Sequence, residues 1–265
     1  MTVRVTIAQL AVSGDRPANE HVVRTAFRSA ASVGSELLVL PEYSSGFDPH
    51  GVGPEHAEPI SGRYVSFLRS QARATGAAVI AGTVLPGTDP ARPVNAAVAV
   101  DRDGEIAGVY RKVHLYDAFG HRESDRLEAG DPGADPLVID VGGLRFGVMT
   151  CYDLRFPESA RRLVDAGADA LVVPAAWASG PLKVDHWRTL ARARAIENTA
   201  LVLAVGQAGD GVSGHSLLVG PDGQVGLELG DVPEIRTVDL DGALLADARR
   251  TNPSLANRRY RVVPD

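Results

Sequence analysis

The chain has one cysteine and only two lysines among its 265 residues. A single cysteine excludes an internal disulfide and suits a reducing compartment, so the expected location is cytoplasmic. No run of 18 apolar residues occurs, which excludes a membrane-spanning helix from the reading. The first nine residues alternate apolar and polar like a strand and lack the basic-then-apolar order of a secretory leader. An excess of basic charge is also missing. With 27 Lys+Arg against 33 Asp+Glu, the net charge is −6 and the pI about 5.7. A nucleic-acid partner would need a basic face, so neither nucleic acid nor membrane is expected. Arginine serves almost everywhere a cation is wanted. Lys112 and Lys183 either mark positions where a compact ammonium is required and a planar guanidinium will not do, or are chance survivors, so the clue counts only where something else points at the same residue.

What is present is an ordinary globular composition, 45% hydrophobic and 23% charged, in a chain long enough to bury a sizeable core. Short apolar runs alternate with helix-like stretches. Strands are predicted over residues 3–8, 37–40, 77–81, 94–100, 105–110, 144–150, 171–173, 201–205, 215–219 and 224–229. Helices are predicted over 17–32, 64–74, 157–165 and 185–197, the third opened by Pro157 and closed at Gly167. Asp101-Arg-Asp-Gly104 and Gly220-Pro-Asp-Gly223 each join two strands, which reads as a pair of hairpins and hints at a duplicated architecture. The fold class expected is mixed α/β (α+β), with helices covering sheet faces. No linker divides the chain, so residues 1–265 are expected to form a single domain.

Three residue types that carry chemistry each stand just beyond an apolar strand. Cys151 follows 144–150 and precedes Tyr152-Asp-Leu-Arg-Phe-Pro157, where a helix begins. A sharp strand-to-helix elbow exposes a nucleophile beside free backbone N–H groups, and a nearby helix N-terminus favours a thiolate. The competing reading is a buried, inert thiol. Glu42 ends the strand in Leu-Leu-Val-Leu-Pro-Glu, at the sheet rim where α/β folds build sites. In a half-desolvated cleft it would serve as a base; otherwise it is a solvated loop glutamate. Lys112, in Tyr-Arg-Lys-Val-His, could stabilise an oxyanion or be a plain surface cation. A cysteine–histidine pairing through His114 or His186 stays open. His50 and His56 with Asp48 match no metal-ligand spacing and are expected to be surface residues, so no metal is expected.

The order Glu–Lys–Cys, in these contexts, resembles the nitrilase superfamily of carbon–nitrogen hydrolases. The matching segments are Leu-Pro-Glu-Tyr (40–43), Tyr-Arg-Lys-Val-His-Leu-Tyr (110–116) and Cys-Tyr-Asp-Leu-Arg-Phe-Pro-Glu (151–158). His186-Trp187 with Arg-Ala-Ile-Glu-Asn (194–198), and Asn-Pro-Ser-Leu-Ala-Asn-Arg-Arg (252–259), extend the likeness over essentially the whole chain. The resemblance implies a four-layer α-β-β-α sandwich that assembles as a homodimer or higher homo-oligomer. It implies Cys151 as nucleophile, Glu42 as base, Lys112 with the Tyr152 backbone N–H as oxyanion partners, and no cofactor. It also implies a second glutamate between lysine and cysteine; Glu123 is favoured over Glu128. The segment after Cys151 is similar to the omega-amidase and deaminated-glutathione amidase branch, which hydrolyses small carboxylic-acid amides to acid and ammonia through a thioester. Tyr43, Arg155 and Trp177 are the candidate substrate contacts, with pairing to a structural carboxylate the alternative for Arg155 and simple packing the alternative for Trp177. N-carbamoyl amidohydrolase and nitrilase activities would use the same trio. A silent binding or scaffold protein on the same fold would have no use for it.

Overall fold

The computed structural model describes residues 1–264. Two six-stranded sheets form its centre. The first is built from β1 (Thr2–Gln9), β2 (Leu37–Val39), β3 (Ala78–Asp89), β4 (Arg92–Val100), β5 (Ile106–Arg111) and β12 (Glu234–Asp241). The second is built from β6 (Val138–Val141), β7 (Leu144–Val148), β8 (Ala170–Ala175), β9 (Leu201–Gly206), β10 (Leu217–Val219) and β11 (Val225–Glu228). Their orders are β12-β1-β2-β3-β4-β5 and β11-β10-β9-β8-β7-β6. In each sheet three parallel strands are flanked on one side by one antiparallel strand and on the other by two. The two hairpins sit at equivalent places, so the duplication hinted at by their sequences is a property of the topology.

Period-two alternation divides each strand between two cores. Val3, Val5, Ile7, Leu37 and Val39 of the first sheet meet Phe146, Val148, Val172, Leu203 and Val205 of the second in one cluster between the sheets. The alternate residues Ala8, Leu38 and Val79 face Val23, Phe27 and Leu68 of helices α1 (Arg16–Ser32) and α2 (Arg63–Thr75). Leu171, Val173 and Val202 face Leu163, Trp187 and Ala191 of α3 (Pro157–Asp165) and α4 (Lys183–Asn198). The result is the α-β-β-α sandwich. Helix starts obey local chemistry: the Asp15 carboxylate accepts the Ala18 N–H at 3.1 Å ahead of Pro17. Among the described residues no helix is long and apolar enough to cross a membrane.

The structure departs from the sequence reading in four elements. β6 has only four residues and escapes a pattern search. β12, Glu-Ile-Arg-Thr-Val-Asp-Leu-Asp, is an edge strand with mostly polar, partly exposed side chains. Helix α5 (Gly242–Thr251) opens on Asp241-Gly242, a pair that reads as a turn; the Asp241 carboxylate instead caps the helix through the Ala243 N–H at 2.8 Å. β3 continues far past residue 81, through a glycine that normally weakens a strand.

That glycine shapes the site. A Cβ on Gly82 would lie 2.4 Å from the Glu42 Cα and 2.7 Å from the Pro41 carbonyl oxygen. Only a hydrogen at this position lets β3 pass beneath the Pro41–Tyr43 turn. Gly82→Ala is therefore expected to destabilise the fold by about 1–3 kcal/mol through overpacking and to displace Glu42. Denaturant unfolding together with an activity assay checks this; an unchanged midpoint and rate would contradict it.

Candidate active site

Glu42 lies just past β2, Lys112 just past β5, and Cys151 three residues past β7. The three come from both sheets and line one pocket of about 210 Å³ with Glu123, Tyr43, Tyr116, Arg155, Trp177 and Lys183. Lys112 and Glu42 are each 1% exposed and Cys151 is 7% exposed, so the solvated-loop and surface-cation alternatives do not describe these residues.

The centre of the arrangement is a chain of charges. Lys112 Nζ donates to Glu42 Oε1 at 3.0 Å and to Glu123 Oε2 and Oε1 at 2.9 and 3.0 Å. Glu128 is elsewhere, accepting the Thr88 N–H and hydroxyl at 2.8 Å each on the β3–β4 hairpin. Burial alone would discharge the ammonium, but the fields of Glu123 and Glu42 outweigh it and hold the Lys112 pKa well above its usual value. Glu123 is also opposed by burial. The Lys112 charge, then the Tyr43 hydroxyl at 2.6 Å and the Tyr116 N–H at 2.6 Å, keep its carboxyl below the usual range.

Glu42 is fixed from every side. Oε1 accepts the Asn95 amide at 2.6 Å, Oε2 accepts the Ala176 N–H at 2.6 Å, and its backbone carbonyl accepts the Gln207 amide at 2.7 Å. Asn95 also donates to the Tyr43 hydroxyl at 2.7 Å. These supports were not identified from the sequence. An asparagine inside the otherwise apolar run of β4 was the one available signal, because a buried amide there needs polar partners.

Cys151 stands, as expected, where the chain turns out of β7 toward α3. It opens a 3-10 turn, Cys151–Arg155, and α3 starts only at Pro157, so no helix N-terminus adjoins the sulfur. The thiol is accordingly not predisposed to ionise: burial first, then the Glu42 charge, push its pKa well up. It rests as a neutral thiol beside a carboxylate. Cys151 has φ 48° and Tyr43 φ 56°. Left-handed backbone at non-glycine residues costs on the order of 1–3 kcal/mol each and is retained where position matters more than strain.

Neither histidine proposed as a partner lines the pocket. His114 Nδ1 sits 2.7 Å from Asp153 Oδ1, and His186 Nδ1 lies 3.4 Å from Arg155 Nη2. His50 is exposed beside Asp48 as expected, whereas His56 is largely enclosed and its Nδ1 accepts the Gly53 N–H at 3.3 Å. Its tight seat against the backbone is the reason the surface expectation fails for it. No group of three potential metal ligands occurs among the described residues.

Arg155, also in the pocket lining, has no carboxylate partner among the described residues, and its Nε is buried without a hydrogen bond. Its guanidinium lies 5.0 Å from the Trp177 ring centroid and 5.4 Å from that of Phe119. Lys183 is a second such cation, bonded to the Tyr116 hydroxyl at 2.5 Å and set 3.7 Å from the Phe119 centroid. Burial and the neighbouring Arg155 lower its pKa. Lysine scarcity had marked Lys183, but no second clue in the sequence pointed at it.

Glu123→Gln should test the charge chain through pH. A carboxyl held below its unfolded value of about 4.3 contributes stability above that pH and loses it as pH falls through the folded value. The stability gap between wild type and Glu123→Gln is therefore expected to be widest near neutrality and to narrow progressively as pH falls below about 5, measured by urea unfolding. A gap independent of pH would contradict this.

The family model for carbon-nitrogen hydrolases matches residues 4–250. The chain is 36% identical over 258 residues to a deaminated glutathione amidase of Escherichia coli O157:H7, covering 97% of both chains. It is 31% identical to omega-amidase NIT2 of Danio rerio, over 97% of this chain and 94% of that one. Its fold superposes on the crystal structure of Saccharomyces cerevisiae Nit3, of the nitrilase superfamily, with a TM-score of 0.85, 28% identity, and 98% and 97% of the two chains covered. With a buried cysteine beside a paired glutamate and lysine at the strand ends, these likenesses show that the chain belongs to the carbon-nitrogen hydrolase family and is an amidase of the nitrilase superfamily.

Proposed function

We propose that residues 1–265 act as one catalytic unit that hydrolyses the amide of a small carboxylic acid to the acid and ammonia. Glu42 takes the Cys151 proton as the sulfur attacks the amide carbon, and the C=O electron pair moves onto oxygen. The Lys112 ammonium and the Tyr152 backbone N–H hold that oxyanion; one such donor is worth about 3–4 kcal/mol. Glu42 returns its proton to nitrogen, the C–N bond breaks and ammonia leaves a thioester. A water, deprotonated by Glu42, attacks the thioester, and the sulfur departs with the proton. Glu123 keeps Lys112 charged and aimed. The neutral resting thiol suits this order, since the proton has to be removed at the moment of attack.

The observation that carries the substrate reading is the pair of cations without carboxylate partners, Arg155 and Lys183, in the pocket that holds the thiol. Leaving two such charges half-desolvated is costly unless a ligand supplies the counter-charge. A carboxylate at the far end of the substrate does so, with Trp177 and Tyr43 walling the space between. The likeness to an omega-amidase and a deaminated glutathione amidase supports the same class. A cavity of about 210 Å³ around the thiol suits a small acid amide. The protein works in this reading in the cytoplasm, as a homodimer or higher homo-oligomer, without a cofactor.

An ammonia-release screen over glutaramate, succinamate and their 2-oxo analogues, N-carbamoyl compounds and nitriles tests the proposal. The acid amides are expected to turn over, and Cys151→Ala to abolish turnover. Arg155→Gln and Lys183→Met should each raise KM for glutaramate about tenfold or more, the scale of a lost charged contact, while leaving propionamide hydrolysis nearly unchanged. Preference for carbamoyl compounds or nitriles, or equal effects on charged and neutral amides, would overturn the substrate assignment.

A further inference from the structure

Asp153 is fully buried, lines no part of the pocket, and yet touches both segments that bring the reacting groups together. It lies in the 3-10 turn opened by Cys151. Its Oδ2 accepts the Thr150 N–H at 2.9 Å, on the residue before the nucleophile, and the Tyr110 hydroxyl at 2.7 Å, two residues before Lys112. Its Oδ1 accepts the His114 N–H at 3.1 Å, two residues after Lys112, and lies 2.7 Å from the His114 ring Nδ1. One carboxylate thus grips the lysine segment on both sides of Lys112 and, from its own place two residues after Cys151, the Thr150 N–H just before it. The first segment leaves β5 in one sheet and the second leaves β7 in the other.

A serine-type triad is the other function this cluster suggests, since the Ser159 hydroxyl is 3.4 Å from His114. It approaches Nδ1, the same nitrogen that Asp153 occupies. A relay needs acid and hydroxyl on opposite ring nitrogens. The His114 ring is moreover stacked on Phe156, with centroids 3.7 Å apart and planes within 9°. The cluster is built to hold, not to react.

We propose that Asp153 is a positioning residue of the amidase, acting through Lys112 and Cys151 by fixing the ammonium and the sulfur at a set separation across the two sheets. This rests on the reading of those two as oxyanion partner and nucleophile. The backbone of the cysteine turn is left-handed at Cys151 itself, so an independent tether is needed to keep the sulfur's direction. Asp153 supplies it, and the tether's other end is the lysine segment. Asp153 lines no part of the pocket, but Arg155 of the same turn does, so the kinetic split is read with propionamide, which has no carboxylate for Arg155 to hold. With that probe, loss of the tether acts on kcat and not on KM. A displacement of about 1 Å between reacting groups is enough for roughly a hundredfold loss.

The test compares Asp153→Asn and Tyr110→Phe with the wild-type protein, with propionamide as the probe. Each rate is divided by the number of Cys151 thiols that iodoacetamide titrates in the folded sample. Asp153→Asn is expected to lower kcat per thiol about 10- to 100-fold with KM within about twofold. Tyr110→Phe removes one of the four donors without altering shape, and is expected to lower kcat per thiol several-fold, again at constant KM. Should Asp153→Asn fail to fold, Tyr110→Phe decides alone. Normal kcat per thiol in the folded variants, or a loss shared by KM, overturns the positioning role. Turnover surviving in Cys151→Ala would instead overturn the catalytic assignment on which it rests.

Discussion

Everything distinctive about this molecule depends on one buried ammonium held between two carboxylates. Lys112 could not stay charged at 1% exposure without Glu42 and Glu123, and two carboxylates could not share that space without the ammonium between them. Breaking such a group by removing one member strands a charge in a dry interior. The surrounding donors, Asn95, Tyr43 and the Ala176 and Tyr116 N–H groups, complete the solvation that water would otherwise give. The thiol sits at the edge of this field, where burial and the Glu42 charge hold its pKa well up.

The sandwich brings these groups together because it is duplicated. Each sheet has three parallel strands that end at the same rim, and the sheets face each other through a core of alternating aliphatic residues. Glu42 comes off a parallel strand of one sheet and Cys151 off a parallel strand of the other, while Lys112 comes from the hairpin edge of the first. Close approach at Gly82 and left-handed backbone at Tyr43 and Cys151 are the local costs of making three loops meet. Packing over the whole interface offsets them.

Much of this was legible in the residues. Period-two runs located nearly all the core strands, and Pro157 and Gly167 bounded α3 to the residue. Glu42, Lys112 and Cys151 were visible because each chemical group follows an apolar run. What stayed hidden has a common cause: it depends on neighbours distant in the chain. Asn95 gains its meaning from a glutamate 53 residues away, and the Ala176 N–H from one 134 residues away. The turn at Cys151 was expected, but the helical winding of the charged run before Pro157 was not. Asp153 and Arg155 fold the run into a 3-10 turn, one anchored to the lysine segment and the other aimed at the pocket. β12 and α5 were missed where edge exposure and a capping Asp-Gly imitate a turn.

The measurement that bears most directly on the central interaction is a double-mutant cycle in unfolding free energy between Lys112→Met and Glu123→Gln. If the ammonium and the carboxylate stabilise each other as described, the two changes will couple by about 1–3 kcal/mol, and the double variant will be more stable than Lys112→Met alone. Effects that add to within about 0.5 kcal/mol would show that the charges are independent and that the site is held together by something else.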